Sequence, residues 1–557
     1  VSVALTKRVR TRRQRPAVKN EIPVAGFPSP PQKERLALII FALCLALFSV
    51  RAVTSMVQES STWDETHYFG MGKYLLQTGR WDAMGCILHP PLSYYLSSIP
   101  LLFFPTDPTV WKNDPSIREN QLYRAEANIL RGQALLSSPE NRGDRLLTLS
   151  RLMMVLVALL LGWYVFSWSY ALYGSTGAIV AIVLYSFCPN VLAHARLITP
   201  DIVVTAFSFI TLYHFWKMLK EERGSTALIA GIALGLALLS KFTAVLLIPV
   251  CIALALIWLF HYKLLPWRNY LIFGAVGFAV LLLGYRGDLE PYFSGIRFQQ
   301  EHASQGQSSF LCGDYSQRGW WYYYTVAFFL KTPIAAILSL AAALVFYFKR
   351  VLKGAWITEL FLLIPAVTIF VFFSTNPQAI GLRYLLPIYP FLFVFAAGGI
   401  SCLLCKKNTA IFCGLLALWY IGASLYIQPH YLAYFNELTG GPDNGYKYLV
   451  DSNLDWGQDL KGLGRYMREH NIPKVCLSYF GSDLPERYGI SYEWLPSFYL
   501  QNPAPGARQV TLHDWVAVSA TNLQGVYFDN KDTYAMLRSK KPVAQIGYSI
   551  FVYDLKN

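Results

Sequence analysis

Charge is the scarcest resource in this chain. Asp, Glu, Lys and Arg make up 15% of its 557 residues, against about 25% in ordinary soluble domains, while apolar residues reach 54%. That balance excludes a disordered chain and an ordinary cytosolic enzyme. Nine cysteines in a chain this long exclude a secreted scaffold built on disulfides. No repeat at a fixed period and no inverted pair of interrupted apolar segments is visible, which counts against a secondary transporter.

What the chain has instead is long apolar runs. A bilayer core takes roughly 20 apolar residues per helix, and segments of that kind lie near 36–57, 146–172, 176–191, 201–217, 226–240, 242–260, 269–285, 320–347, 357–373, 381–403 and 409–427. The expected fold is therefore an all-α polytopic membrane bundle of about eleven transmembrane helices, which puts the two termini on opposite sides. The basic tail 1–35 and the alternate short loops around Lys217/Lys220/Arg223, Lys263/Arg268, Lys349/Arg350/Lys353 and Lys406/Lys407 hold 19 basic and 4 acidic residues, and the remainder of the chain is balanced. The whole net charge of +15 thus falls on one side, which the positive-inside rule makes cytoplasmic. The same basicity reads as topology and attraction to anionic lipid rather than nucleic-acid binding, since no nucleic-acid motif accompanies it. The tail is too long and too basic for a cleavable signal, and Pro23, Pro28, Pro30 and Pro31 make part of it an extended linker.

With the N-terminus inside, three segments of the 36–427 membrane domain and beyond face outward: the loop 58–145, the loop 286–319, and a C-terminal domain 428–557. The last reads as α/β, with a helix through Gly457–Glu469 capped by Asp455 or Ser452 and strands at Lys474–Phe480, Trp515–Ala520 and Ile546–Tyr553. It contains no nucleophile elbow, Walker loop or zinc-ligand cluster, so it suits acceptor binding or a lid better than the chemistry itself. Cys86 and Cys312 lie in the two outward loops, where a disulfide is permitted. Two free thiols, or pairing with Cys476, are the alternatives.

The polar residues at the ends of apolar runs need a reason to be there, because charge at that depth is costly. Asp64 and Glu65 follow the first run in Trp63-Asp64-Glu65-Thr66-His67-Tyr68; either a helix start or a general base accounts for them. His89 precedes Pro90-Pro91, a pair suited to starting a helix. Asp201 opens the fourth span after His194-Ala195-Arg196-Leu197-Ile198-Thr199-Pro200. Lys241 lies between the fifth and sixth spans, Lys331 about ten residues into the eighth, and Arg383-Tyr384 opens the tenth. Lys331 reads equally well as a snorkelling side chain. Carboxylates suit activation of a hydroxyl, and Lys and Arg suit holding a phosphate. A phosphate next to a base at the bilayer surface suggests a lipid-phosphate sugar donor on a side where nucleotide sugars are absent. His67, His302 and Lys331 are further candidate substrate contacts. Asp64, Glu65, Asp201 and His302 are donors that suit several divalent ions, but no ligand spacing selects one. Metal-independent chemistry is the preferred expectation, with a site-organising divalent ion as the alternative.

The ordered motifs Trp-Asp-Glu at 63–65, His-Pro-Pro-Leu at 89–92, Thr-Pro-Asp at 199–201 and Gly-Leu-Arg-Tyr-Leu-Leu-Pro at 381–387 resemble the polyprenol-phosphate-dependent glycosyltransferases of the GT-C fold. Within them the nearest group is the protein O-mannosyltransferase and aminoarabinose-transferase family. Gly319–Tyr324, Lys331-Thr332-Pro333 and Tyr431–Leu460, with Asp451-Ser452-Asn453-Leu454-Asp455-Trp456-Gly457-Gln458-Asp459, are similar to bacterial carrier-dependent members. The resemblance implies an inverting transfer, without a covalent intermediate, from undecaprenyl phosphate or a similar carrier to an extracytoplasmic lipid, glycan or protein hydroxyl in a bacterial plasma membrane. It implies Asp64 as the base with Glu65 beside it, Asp201 as a second acidic position and Arg383 as a phosphate contact. Lys241, His89 and Tyr384 join that phosphate site from the reading above. His89 stands where some relatives have Lys, and the C-terminal domain lacks the β-trefoil pattern of eukaryotic protein mannosyltransferases. A flippase or transporter of lipid-linked sugars would use the same basic groups, and a sensor built on the C-terminal domain would need no Asp64.

Overall fold

The computed structural model describes residues 31–78, 89–107, 121–264, 266–351, 356–498 and 514–555. Among these, eight helices are long and apolar enough to cross a membrane, or nine if one bent pair is counted as a single span. The eleven expected runs map onto the helices with two departures, at 226–240 and 320–347. The segments 146–172 and 176–191 lie largely within Gly143–Ser186 as two helices that meet without a loop at Gly174, whose φ of 68° only glycine adopts without cost. The run 226–240 forms Gly224–Leu238, at 15 residues shorter than a usual span. Gly231 and Gly235 on it face Phe273, Val276, Gly277 and Val280 of Trp267–Gly284, and a Cβ on either would stand 2.7 Å from a backbone carbonyl oxygen of that helix. Small residues thus let the two backbones close up, the usual way helices associate in lipid.

The expected span 320–347 is not straight. Tyr323–Lys331 and Ile334–Lys349 meet at 111°, because Pro333 cannot continue the ladder and disfavours helical geometry at Thr332, which is extended at φ −92°, ψ 131°. Lys331 therefore lies at a corner rather than in mid-span.

The segment after the first helix folds into short helices, Trp63–Tyr68, Met71–Thr78, Leu92–Phe103 and Gln121–Ser137. The segment 286–319 forms helix Glu290–Gln305 and a hairpin of Ser309–Leu311 with Asp314–Ser316. Cys312 is a free thiol in that hairpin turn, and Cys86 lies outside the described residues, as does the basic cluster of the N-terminal tail.

The C-terminal region carries a five-stranded mixed sheet in the order Tyr492–Trp494, Val475–Ser478, Trp515–Ser519, Ile550–Asp554, Ala544–Ile546. The first three strands are parallel and the last two join antiparallel. Alternation along a strand assigns its two faces. Val516, Val518, Phe551 and Tyr553 join the apolar core of the bundle, whereas Ala517, Ile550 and Val552 pack under helix Leu460–Glu469 through Leu460 and Leu463. Two details differ from expectation. The helix begins at Leu460, because Gly457 is left-handed at φ 91° and its Cβ position is closed by Tyr479 and Gly481. Asp455 and Ser452 bond elsewhere, to Thr521 N and Ile380 O. The run Ile546–Tyr553 is a hairpin turning through Gly547 and Tyr548, at φ 56° and 66°, not one strand.

Candidate active site

Four charged side chains meet where helices break. Asp64 is in the first turn of Trp63–Tyr68. Asp201 is in the first turn of Pro200–Glu221, behind Pro200. Lys241 lies between Gly224–Leu238 and the turn Phe242–Leu246. Arg383 lies in the 3-10 turn Leu382–Ile388 that precedes Tyr389–Leu403. Arg383 Nη1 donates to Asp64 Oδ2 at 2.7 Å and stands 3.9 Å from Asp201 Oδ2, while Lys241 Nζ donates to Asp201 Oδ1 at 2.7 Å. The result is an alternating chain Asp64–Arg383–Asp201–Lys241. Tyr384 carries its ring 4.5 Å from Lys241 Nζ and 5.4 Å from the Arg383 guanidinium.

His89 joins this cluster. Leu92 N donates to Leu239 O at 2.9 Å, pinning the His-Pro-Pro turn beside Lys241. His89, Lys241 and Tyr384 line a cavity of about 490 Å³ whose walls also include Phe242, Leu246 and Phe373. Burial, and then the nearby charge of Lys241, push the His89 imidazole well below its ordinary value, so it is neutral near pH 7 and offers a hydrogen bond rather than a charge. Burial likewise lowers the Lys241 ammonium, against the opposing pull of Asp201. His89 Nδ1 and Arg383 Nε are buried without a hydrogen-bond partner among the described residues. Buried polar atoms are seldom left unmet in a finished site, and here two of them belong to residues suited to holding an anion.

Four candidates fall elsewhere. Glu65 is fully buried and locked: Arg151 Nε and Nη2 donate to its two carboxylate oxygens at 2.8 and 2.6 Å, and Thr62 N and Ile198 N add bonds at 2.9 and 3.0 Å. Burial raises this carboxyl, but Arg151 and the backbone bonds outweigh it and hold the group below the usual carboxylate range. It has no lone pair left for substrate and serves as the brace of the Asp64 helix. Lys331 donates to Leu432 O at 2.9 Å and to Asn453 O, with its ammonium 4.5 Å from the Phe435 ring. It is neither snorkelling nor at the site; it clamps the C-terminal region to the bundle. His302 is exposed and stacks on Phe298, on the helix whose Gln299 and Gln300 line the cavity. His67 is buried at the end of the Asp64 helix, edge-on to Tyr68. The donor set Asp64, Glu65, Asp201 and His302 is thus not gathered, and among the described residues no three His, Cys, Asp or Glu side chains stand close enough to hold a metal ion.

Sequence reasoning missed the partners of these groups. Trp456 lays its ring 4.2 Å from the Arg383 guanidinium. Arg196 makes a bidentate pair with Glu59 at 2.6 and 2.9 Å. Arg151 stood in plain view as a cation within an apolar run, which the cost of intramembrane charge marks as a residue in need of a partner.

Residues 143–284 match the family model described as dolichyl-phosphate-mannose-protein mannosyltransferase. Asp201 and Lys241 lie within the matched segment, while Asp64, His89 and Arg383 lie outside it. The match covers this segment alone, less than half of the chain, and agrees there with the resemblance the motifs carry. No curated protein sequence matches the chain. Among solved structures, ArnT from Cupriavidus metallidurans bound to undecaprenyl phosphate is similar at 13% identity and a TM-score of 0.46, over 92% of this chain and 97% of that one. Its apo state gives 14% and 0.48 over the same shares. The Archaeoglobus fulgidus oligosaccharyltransferase gives 13% and 0.47, with this chain spanning 58% of its length.

Proposed function

We propose that the protein transfers a sugar from a polyprenyl-phosphate carrier, undecaprenyl phosphate in a bacterial membrane, to a hydroxyl group on the extracytoplasmic side, with inversion at the anomeric carbon. The observation that carries this reading is the alternating chain Asp64–Arg383–Asp201–Lys241, whose Lys241 lines a largely apolar cavity together with His89 and Tyr384. The sugar-bearing carrier phosphate has one negative charge shared by two oxygens for Arg383 and Lys241, gains a second as the sugar leaves, and has an isoprenoid tail for the apolar wall.

In the step itself the bond from the anomeric carbon to the phosphate oxygen breaks as the bond to the acceptor oxygen forms. The acceptor proton passes to Asp64, and the negative charge stays on the departing phosphate. Asp64 is one-fifth exposed at its side chain, open enough to meet an acceptor. Arriving phosphate competes with Asp64 for Arg383, and each Arg383 bond handed to the phosphate releases a carboxylate oxygen for the acceptor. The base is thereby freed when the donor is bound. Neutral His89 supplies one more hydrogen bond to the phosphate. The positive-inside charge pattern supports a cytoplasmic N-terminus and an outward C-terminal region.

The experiment is to give purified protein a polyprenyl-phosphate sugar and candidate hydroxyl acceptors, and to measure free polyprenyl phosphate and the new glycoside together. Stoichiometric appearance of both is expected. Movement of intact carrier across a vesicle membrane, without cleavage of the sugar, would replace this reading with a flippase. Analysis of cell-envelope glycans in a deletion strain identifies the acceptor.

A further inference from the structure

The two halves of the catalytic pair, Asp64 and Arg383, come from elements 319 residues apart, and neither element is long. Trp63–Tyr68 has six residues and the Arg383 turn seven. Both rest on the same stretch of the C-terminal region, residues 452–458. On the Arg383 side, Ser452 Oγ donates to Ile380 O at 3.0 Å and Asn453 Oδ1 accepts Leu382 N at 2.9 Å. Gly381 lies so close that a Cβ there would stand 2.2 Å from Ser452 Oγ. On the Asp64 side, Trp456 O accepts Trp63 N at 2.8 Å, Ser60 Oγ donates to Gly457 O at 2.9 Å, and Gln458 O accepts Ser60 N at 2.8 Å. Between the two sides Trp456 is fully buried, and its ring faces Arg383 at 4.2 Å. Gln458 Oε1 accepts Trp456 N at 2.8 Å, which fixes the backbone that carries the ring.

We infer that residues 452–458 form a bracket that sets the spacing of Asp64 and Arg383, with Trp456 as the positioning residue for the arginine. The face of an indole attracts a guanidinium without consuming any of its N–H donors. Trp456 can therefore hold Arg383 in place from behind while leaving its N–H groups for Asp64 in the resting site and for an anion in the loaded one. A carboxylate in the same place would compete with the phosphate. The C-terminal region thus completes the site rather than merely covering it. This inference rests on the reading of Arg383 as a contact for the carrier phosphate.

The test measures binding of undecaprenyl phosphate to the full-length protein in detergent, for Trp456→Leu, Trp456→Phe and Gly381→Ala, each alone and with Arg383→Ala. Gly381→Ala pushes the arginine turn off Ser452 while leaving Trp456 intact, so the inference stays testable if Trp456→Leu fails to fold. The expected result is about tenfold weaker binding for Trp456→Leu and Gly381→Ala, a smaller loss for Trp456→Phe, which keeps a ring face, and no further loss when Arg383 is already alanine. Equal losses with and without Arg383 would overturn the inference, because a general packing defect does not depend on the arginine. Unchanged binding in Trp456→Leu and Gly381→Ala would overturn it as well. Wild-type protein that binds no carrier phosphate would overturn the carrier reading instead, and the two failures are thereby distinct.

Discussion

Arg383 and Asp64, the proposed phosphate holder and the proposed base, are bonded to each other at 2.7 Å. The pair is self-quenching: each group occupies the other until a phosphate intervenes. Asp64→Asn keeps the size and a hydrogen bond to Arg383 but removes the base. Turnover should fall by about 10²–10⁴-fold, the usual worth of a positioned acid or base, with melting temperature and carrier binding retained. Release of polyprenyl phosphate in a fixed-time assay checks this, and full activity in the variant would remove Asp64 from the role.

On the proposed reading, Asp201 competes with the incoming phosphate for Lys241. Its carboxylate is buried and bonded to Lys241 at 2.7 Å, so a bound phosphate sits beside a negative charge in surroundings where Coulomb terms are strong. Asp201→Asn should therefore bind the product, free polyprenyl phosphate, about tenfold more tightly or better, while kcat falls because product leaves slowly. Product-inhibition constants and turnover measured on one preparation test this. Weaker inhibition in the variant would show that Asp201 aids phosphate binding by holding Lys241 in place.

Glu65 carries the opposite expectation from its neighbour. Removing one partner of a buried, fully bonded ion pair leaves the other uncompensated, at about 3–5 kcal/mol. Glu65→Gln or Arg151→Met should then lower thermal stability sharply, and any activity loss should follow the folded fraction. Thermal melting alongside turnover per folded molecule decides: a stable but inactive Glu65→Gln protein would return Glu65 to the chemistry.

The contrast between Asp64 and Glu65 marks how far sequence reading reaches. Charges at the ends of apolar runs stand out because lipid makes them costly, and Asp64, Asp201, Lys241 and Arg383 were legible for that reason. Which of two adjacent carboxylates does the chemistry is not legible, since a helix points them about 100° apart and the partner that claims Glu65 lies 86 residues away. Lys331 was misplaced because its run was taken as one straight helix, although Pro333 was there to bend it. Val475–Ser478 and Trp515–Ser519 were legible from β-rich runs, but the edge strand Tyr492–Trp494 and the Ile546–Tyr553 hairpin were not. The hairpin's apolar alternation continues across the turn, and only Gly547, pressed against the Asp459 carboxylate, marks the reversal.

That same Asp459 gives the last prediction. His430 Nδ1 stands 3.3 Å from Asp459 Oδ1, just after the final membrane helix, Lys407–Tyr426. Burial lowers the imidazole, but the nearby carboxylate of Asp459, with the charge of Glu59, outweighs it and raises the group above its ordinary value. A histidine raised in the folded state stabilises fully below its unfolded value, near 6.5, and that contribution disappears as pH rises through the raised folded value. The tie between the C-terminal region and the bundle should therefore be strongest in mildly acidic solution. Melting temperatures of wild type and His430→Gln should differ most below about pH 6 and converge toward pH 8–9. The wild-type curve should carry the slope and the variant should be flatter. A gap that widens with rising pH would reverse the sign and show that His430 is held neutral, with Asp459 acting as an acceptor alone.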